Sequence, residues 1–75
     1  MKPVKIKVWR KFLLAYGLSF YTVEGDHEKW NKPGLPRPVI FPIKDKEIKE
    51  HHYSTNLRTM GLTKKQFADW LKINE

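Results

Sequence analysis

The sequence predicts an α+β fold of one helix, a three-stranded antiparallel sheet and two further helices, in a single domain spanning residues 1–75. Three observations carry that prediction. Apolar residues recur at helical spacing from Ile6 to Tyr16 and again after Thr63. Aromatic and β-branched residues concentrate between Ser19 and Glu24. Glycine or proline punctuates each change of pattern. A chain of 75 residues has room for one hydrophobic core, and ten aromatic side chains supply large areas to bury in it.

Ile6 to Tyr16 is the first helix, because Trp9, Phe12, Leu13 and Tyr16 fall on one face while Lys7, Arg10 and Lys11 occupy the other. Gly17 closes it and Leu18 covers the last turn. Ser19 to Glu24 is too short for a helix and reads as a strand. Gly25-Asp26 turns the chain, His27 to Lys32 returns antiparallel, and Pro33-Gly34 supplies a type II turn. A third strand is predicted over Arg37 to Ile43. The prolines at 36, 38 and 42 share one parity, so the missing N–H groups fall on one side and the odd residues remain to pair: an edge strand. After a loop from Lys44 to Glu50, one helix is predicted over Ser54 to Met60, stopped by Gly61. Thr63 and Gln66 open the last helix as a capping box, with Leu62 and Phe67 as its hydrophobic staple and Phe67, Trp70 and Leu71 facing inward.

Composition narrows the function. Fifteen Lys and Arg against eight Asp and Glu give +7, an excess that attracts polyanions, nucleic acid above all. No cysteine is present, so disulfides and thiolate zinc sites are excluded and a cytoplasmic location is expected. The longest apolar run near the N-terminus, Phe12 to Tyr16, is far short of a signal sequence or membrane span. The sequence contains no P-loop, no G-x-G-x-x-G pattern and no Ser-His-Asp arrangement, which argues against nucleoside-triphosphate chemistry and acyl transfer.

Several stretches together carry a resemblance. They are Gly17 at the end of the first helix, Gly25-Asp26-His27 between two strands with Trp30 beyond, and a proline-containing third strand. Lys46-Glu47-Ile48-Lys49 follows, ahead of Leu57-Arg58-x-Met60-Gly61-Leu62. In this order they resemble the HicA family of toxins over nearly the whole chain. The resemblance implies a compact fold related to the double-stranded-RNA-binding domain (dsRBD-like), cleavage of mRNA by an endoribonuclease of a toxin-antitoxin pair, and a HicB-type antitoxin as protein partner. It also implies that His27 is the histidine required for cleavage. The chain departs from the family pattern at Asp26, at Glu28 and at Phe41-Pro42-Ile43-Lys44, where the family commonly carries a serine or threonine, a second histidine or a basic residue, and a further histidine.

The residues suit that chemistry. RNA brings its own 2′-OH nucleophile, so a ribonuclease without metal or cofactor needs a group that titrates near neutrality and cations around the phosphate. Histidine meets the first need, and Lys29, Lys32, Arg37, Lys44, Lys46 and Lys49 are the expected RNA-binding cations. If Trp30 faces the core, alternation sends His27 and Lys29 to the accessible face. Asp26 and Glu28 then read as turn and rim residues, not metal ligands, and His51-His52 as solvated residues ahead of a helix. Two other readings stand beside this one. The first is a non-catalytic RNA-binding module of the same fold. The second is a helix-turn-helix DNA-binding regulator built on Leu57 to Leu71, whose recognition helix the sequence does not carry after the turn.

Overall fold

In a computed structural model that describes residues 2–74, the chain opens with a short strand β1 (Val4–Lys5) and helix α1 (Ile6–Ala15). Strands β2 (Ser19–Glu24), β3 (His27–Asn31) and β4 (Val39–Pro42) follow as an antiparallel sheet in the order β2-β3-β4. A two-residue strand β5 (Glu47–Ile48) then precedes helices α2 (Glu50–Thr59) and α3 (Lys64–Asn74). The predicted order of helix, three strands and two helices is therefore the observed one. No helix among the described residues is long and apolar enough to cross a membrane.

Local chemistry sets the element ends. Gly17, with φ of 84°, lets Leu18 donate to the Leu13 carbonyl at 3.0 Å while its own N–H reaches Leu14 at 3.0 Å. That pair of bonds satisfies two carbonyls a helix end leaves open. Gly61 closes α2 in the same way, through Leu62 to Leu57 at 2.9 Å and its own N–H to Arg58 at 3.0 Å. At the start of α3 the capping box forms in both directions: Thr63 N–H donates to Gln66 Oε1 at 2.8 Å, and Gln66 N–H donates to Thr63 Oγ1 at 3.1 Å.

Three boundaries move. The third strand is shorter than Arg37 to Ile43, since only residues 39–42 lie opposite β3. Helix α2 starts at Glu50 instead of Ser54, and its extra turn carries His51, His52 and the buried Tyr53. The stretch read as a loop contains β5, whose Ile48 and Glu47 pair antiparallel with Val4 and Lys5 of β1. Ile6 N–H adds a bond to the Lys46 carbonyl at 2.9 Å, so the start of α1 is fastened to the segment leading into α2.

Trp9 is the hub of the core. Fully buried on α1, its ring meets Phe12 at 5.6 Å, Phe41 of β4 at 6.3 Å, Tyr53 of α2 at 6.3 Å and Phe67 of α3 at 5.4 Å. One side chain thus joins both C-terminal helices to the sheet and to α1, by burial worth about 1.5–3 kcal/mol per large apolar residue.

Glu28 corrects the sequence reading. It is 3% exposed, on the same face of β3 as Trp30, and is no rim residue. Arg10 of α1 donates to it through Nε at 2.9 Å and Nη2 at 2.6 Å, and Trp30 Nε1 donates to Oε1 at 2.6 Å. The hydrogen bonds from Arg10, opposed by burial and assisted by Trp30, hold the carboxyl below the usual carboxylate range. Its charge clamps β3 onto α1.

The β4 edge is closed by its own sequence. Pro38 and Pro42 bring no N–H to the outer side, and the one that remains, on Ile40, donates to Asn56 Oδ1 at 3.2 Å. Asn56 Nδ2 donates to the Ile40 carbonyl at 2.8 Å, so a buried side-chain amide from α2 takes the place of a fourth strand.

Candidate functional site

Gly25, at φ of 60°, makes the left-handed turn that brings His27 to the start of β3. Ile43 N–H donates to the Asp26 carbonyl at 2.8 Å and so ties this turn to the end of β4. His27 stands opposite Pro42, with its side chain 51% accessible and Nδ1 3.0 Å from Asp26 Oδ1. A carboxylate at one ring nitrogen orients the imidazole and leaves Nε2 for chemistry.

A cleft of 260 Å³ opens beside this turn, between Asp26, Pro42, Lys44 and the α2 residues His51 and His52, with Lys49 at the helix start. The rings of His51 and His52 lie 4.0 Å apart. His52 is half-buried; burial first, then the nearby charges of His51, His27 and Lys49, push its pKa below the ordinary histidine value. Neutral imidazole is therefore its resting form at neutral pH, and His27 is near enough to contribute to that. Asn56 ties this turn of α2 to β4, because Nδ2 donates to the His52 backbone carbonyl at 3.1 Å and to the Ile40 carbonyl at 2.8 Å.

The six cations singled out from the sequence separate into two groups. Lys44 and Lys49 line the cleft, and Lys46 lies with Lys49 on an adjoining groove. The other three are engaged with the protein itself. Lys29 pairs with Glu24, Lys32 Nζ donates to the Tyr16 carbonyl at 2.9 Å, and Arg37 Nε donates to Thr59 Oγ1 at 3.3 Å. Lys32 in this position satisfies an open carbonyl at the negative end of α1.

Sequence reading missed His52 as a neighbour of His27. Nothing local marks the helix start that brings it there: Lys49 is the N-cap of α2 and supplies no side-chain cap. Lys7 and Arg10 were likewise assigned only to the outer face of α1 and Lys5 was given no role, and the β1–β5 pairing brings them beside Lys46 and Lys49.

Among the described residues no three histidine, aspartate or glutamate side chains converge as a metal site. The donor set is instead one of proton carriers and cations: a neutral imidazole and two lysines in the cleft, and an oriented imidazole at its border beside Asp26. That combination can move protons on either side of an anionic centre while neutralising its charge. The chain matches no family model, no curated protein and no solved structure.

Proposed function

We propose that this chain is a metal-independent endoribonuclease toxin of the HicA type, cutting RNA at the cleft that His52 lines and His27 borders. The observation that carries the reading is a cleft lined by Asp26, His52, Lys44 and Lys49, with His27 held by Asp26 at its border and near enough to His52 to act on its charge. Neutral His52 accepts the proton of the 2′-OH, and the 2′-oxygen attacks the adjacent phosphorus. The bond from phosphorus to the 5′-oxygen breaks as His27 delivers a proton to that oxygen. The products are a 2′,3′-cyclic phosphate and a 5′-hydroxyl, and Lys44 and Lys49 neutralise the charge that builds on the phosphate oxygens.

The order of helix, three-stranded sheet and helix supports the reading of the domain as a compact relative of the dsRBD-like fold. On this reading it acts on mRNA in the cytoplasm. A HicB-type antitoxin restrains it by covering the cleft with an acidic or peptide surface. Incubating the purified protein with single-stranded RNA in excess chelator tests the proposal. Cleavage that leaves cyclic-phosphate ends is the expected outcome, with an acidic limb below the ordinary histidine value of about 6.5 because it reports His52. A wild-type protein that binds RNA and never cuts it is a non-catalytic RNA-binding module instead.

A further inference from the structure

A groove of 980 Å³ runs on from the histidine cleft, sharing Asp45, Glu47 and Lys49 with it. We infer that this groove is a binding track for single-stranded RNA, in which Lys5, Lys7 and Lys46 hold the phosphates flanking the scissile bond. The inference rests on the ribonuclease reading for its substrate and extends it to residues outside the cleft.

Three observations carry it. The groove's charge is uncommitted: among the described residues Lys5, Lys7, Lys46 and Lys49 have no ion pair, whereas Lys29, Lys64 and Lys65 each have one. Four such lysines outnumber the two carboxylates that share the groove, and Arg10 on its wall already serves Glu28. The placement of these lysines also works against the fold. Lys5 occupies the N-cap of α1 with no side-chain cap, Lys7 follows in its first turn, and no acidic residue offsets them there. Cations at that end oppose the helix dipole, a cost that, among the described residues, only the place of Glu47 opposite Lys5 in the β1–β5 register offsets. The floor, finally, includes Pro3, Ile6 and Ile43, apolar surface against which unstacked bases can lie.

A duplex does not fit this path. In-line attack by a 2′-oxygen needs a backbone freed from A-form geometry, and a groove bordering such a cleft receives a strand whose bases are splayed. An acidic peptide would satisfy the lysines but has no use for the continuity with the histidines.

The test uses the full chain and a labelled oligouridylate of about eight nucleotides, with a uridine dinucleotide as the short substrate. The double variant Lys5→Glu/Lys7→Glu should bind the oligonucleotide at least about tenfold more weakly at low salt, and its salt slope should fall by about 1.4. Acidic residues at a helix start favour the dipole, so this variant should fold; Lys46→Glu, on the opposite wall, gives an independent reading. Arg58→Glu and Lys72→Glu, away from the groove, should leave binding as it is. Cleavage of the dinucleotide, too short to reach from cleft to groove, should suffer much less than cleavage of the octamer. Oligonucleotide binding unaffected by charge reversal, or equal losses on long and short substrates, overturns the track. Wild-type protein that takes up polyglutamate in preference to the oligonucleotide overturns its occupant. Lysine-dependent binding without any cleavage leaves the track standing and removes the ribonuclease reading.

Discussion

The three helices begin in two different ways. Helix α3 starts with reciprocal hydrogen bonds between Thr63 and Gln66, which satisfy N–H groups that a helix start leaves open. Helices α1 and α2 start on Lys5 and Lys49, in extended conformation and without a side-chain cap. The start of the capped helix lines neither cleft nor groove, although Lys64 reaches Glu50 of α2 at 2.9 Å; the starts of the uncapped ones line them. The proposed RNA site thus falls at the two helix starts that lack a cap.

The largest effect should come from the cleft. His27→Ala should lower RNA cleavage about 100- to 10,000-fold, the usual contribution of a proton-transfer group. Its cost in stability should stay under about 1 kcal/mol, since the side chain is half exposed. His52→Ala should behave alike in cleavage, while His51→Ala serves as the control. Rates and melting curves on the same preparations decide it, and a His27→Ala protein that cuts at the wild-type rate would place the chemistry elsewhere.

The next largest effect lies in the fold that supports the cleft. Glu28→Ala leaves Arg10 and the Trp30 N–H without their shared acceptor and should cost about 2 kcal/mol, less than a fully buried pair because Arg10 is 42% exposed. The pH dependence has a definite sign. Because the folded state lowers the Glu28 pKa, its contribution is complete above the free-glutamate value of about 4.3 and is lost as the pH falls toward the folded value. Denaturant titrations on descending through that window should show wild type losing more stability than Glu28→Ala.

The two remaining tests address the helix starts directly. Thr63→Ala should cost about 1 kcal/mol and leave RNA binding unchanged, because the cap at α3 is purely structural. Lys49→Ser should do the reverse. A serine at the N-cap should raise stability by about 0.5 kcal/mol, while the salt slope of RNA binding falls by about 0.7. Should Lys49→Ser stabilise without weakening RNA binding, the contrast between the helix starts has no functional content.

What was legible in the sequence was what local chemistry decides. The apolar spacing of α1, the glycine closures at Gly17 and Gly61, the strand from Ser19 to Glu24 and the Thr63–Gln66 box all depend on residues a few positions apart. The β1–β5 pair was not legible, because two residues on each side give no period to read and their pairing is a long-range event. Helix α2 was started late since Glu50, His51 and His52 lack both a cap and an apolar stripe, and Tyr53 alone anchors that turn. Glu28 shows a different limit. Alternation already set it on the face of Trp30, yet a carboxylate is read as exposed until its partner is known, and Arg10 comes from another element. The same holds for the basic residues: closeness in sequence grouped Lys29 and Lys32 with Lys46, and folding parted them.

Asn56 has one more consequence, in the language of polymer growth. A sheet with two open edges is a bifunctional unit and adds copies without end; a sheet with one open edge is monofunctional, and growth terminates at the first pairing. The prolines of β4 and the Asn56 amide remove one functional edge, while the outer strand β2 keeps Phe20, Tyr21 and Val23 exposed. Edge-to-edge pairing of this sheet is therefore left to the β2 edge alone, and Asn56, whose amide also bonds the His52 carbonyl, is the chain terminator at the other edge.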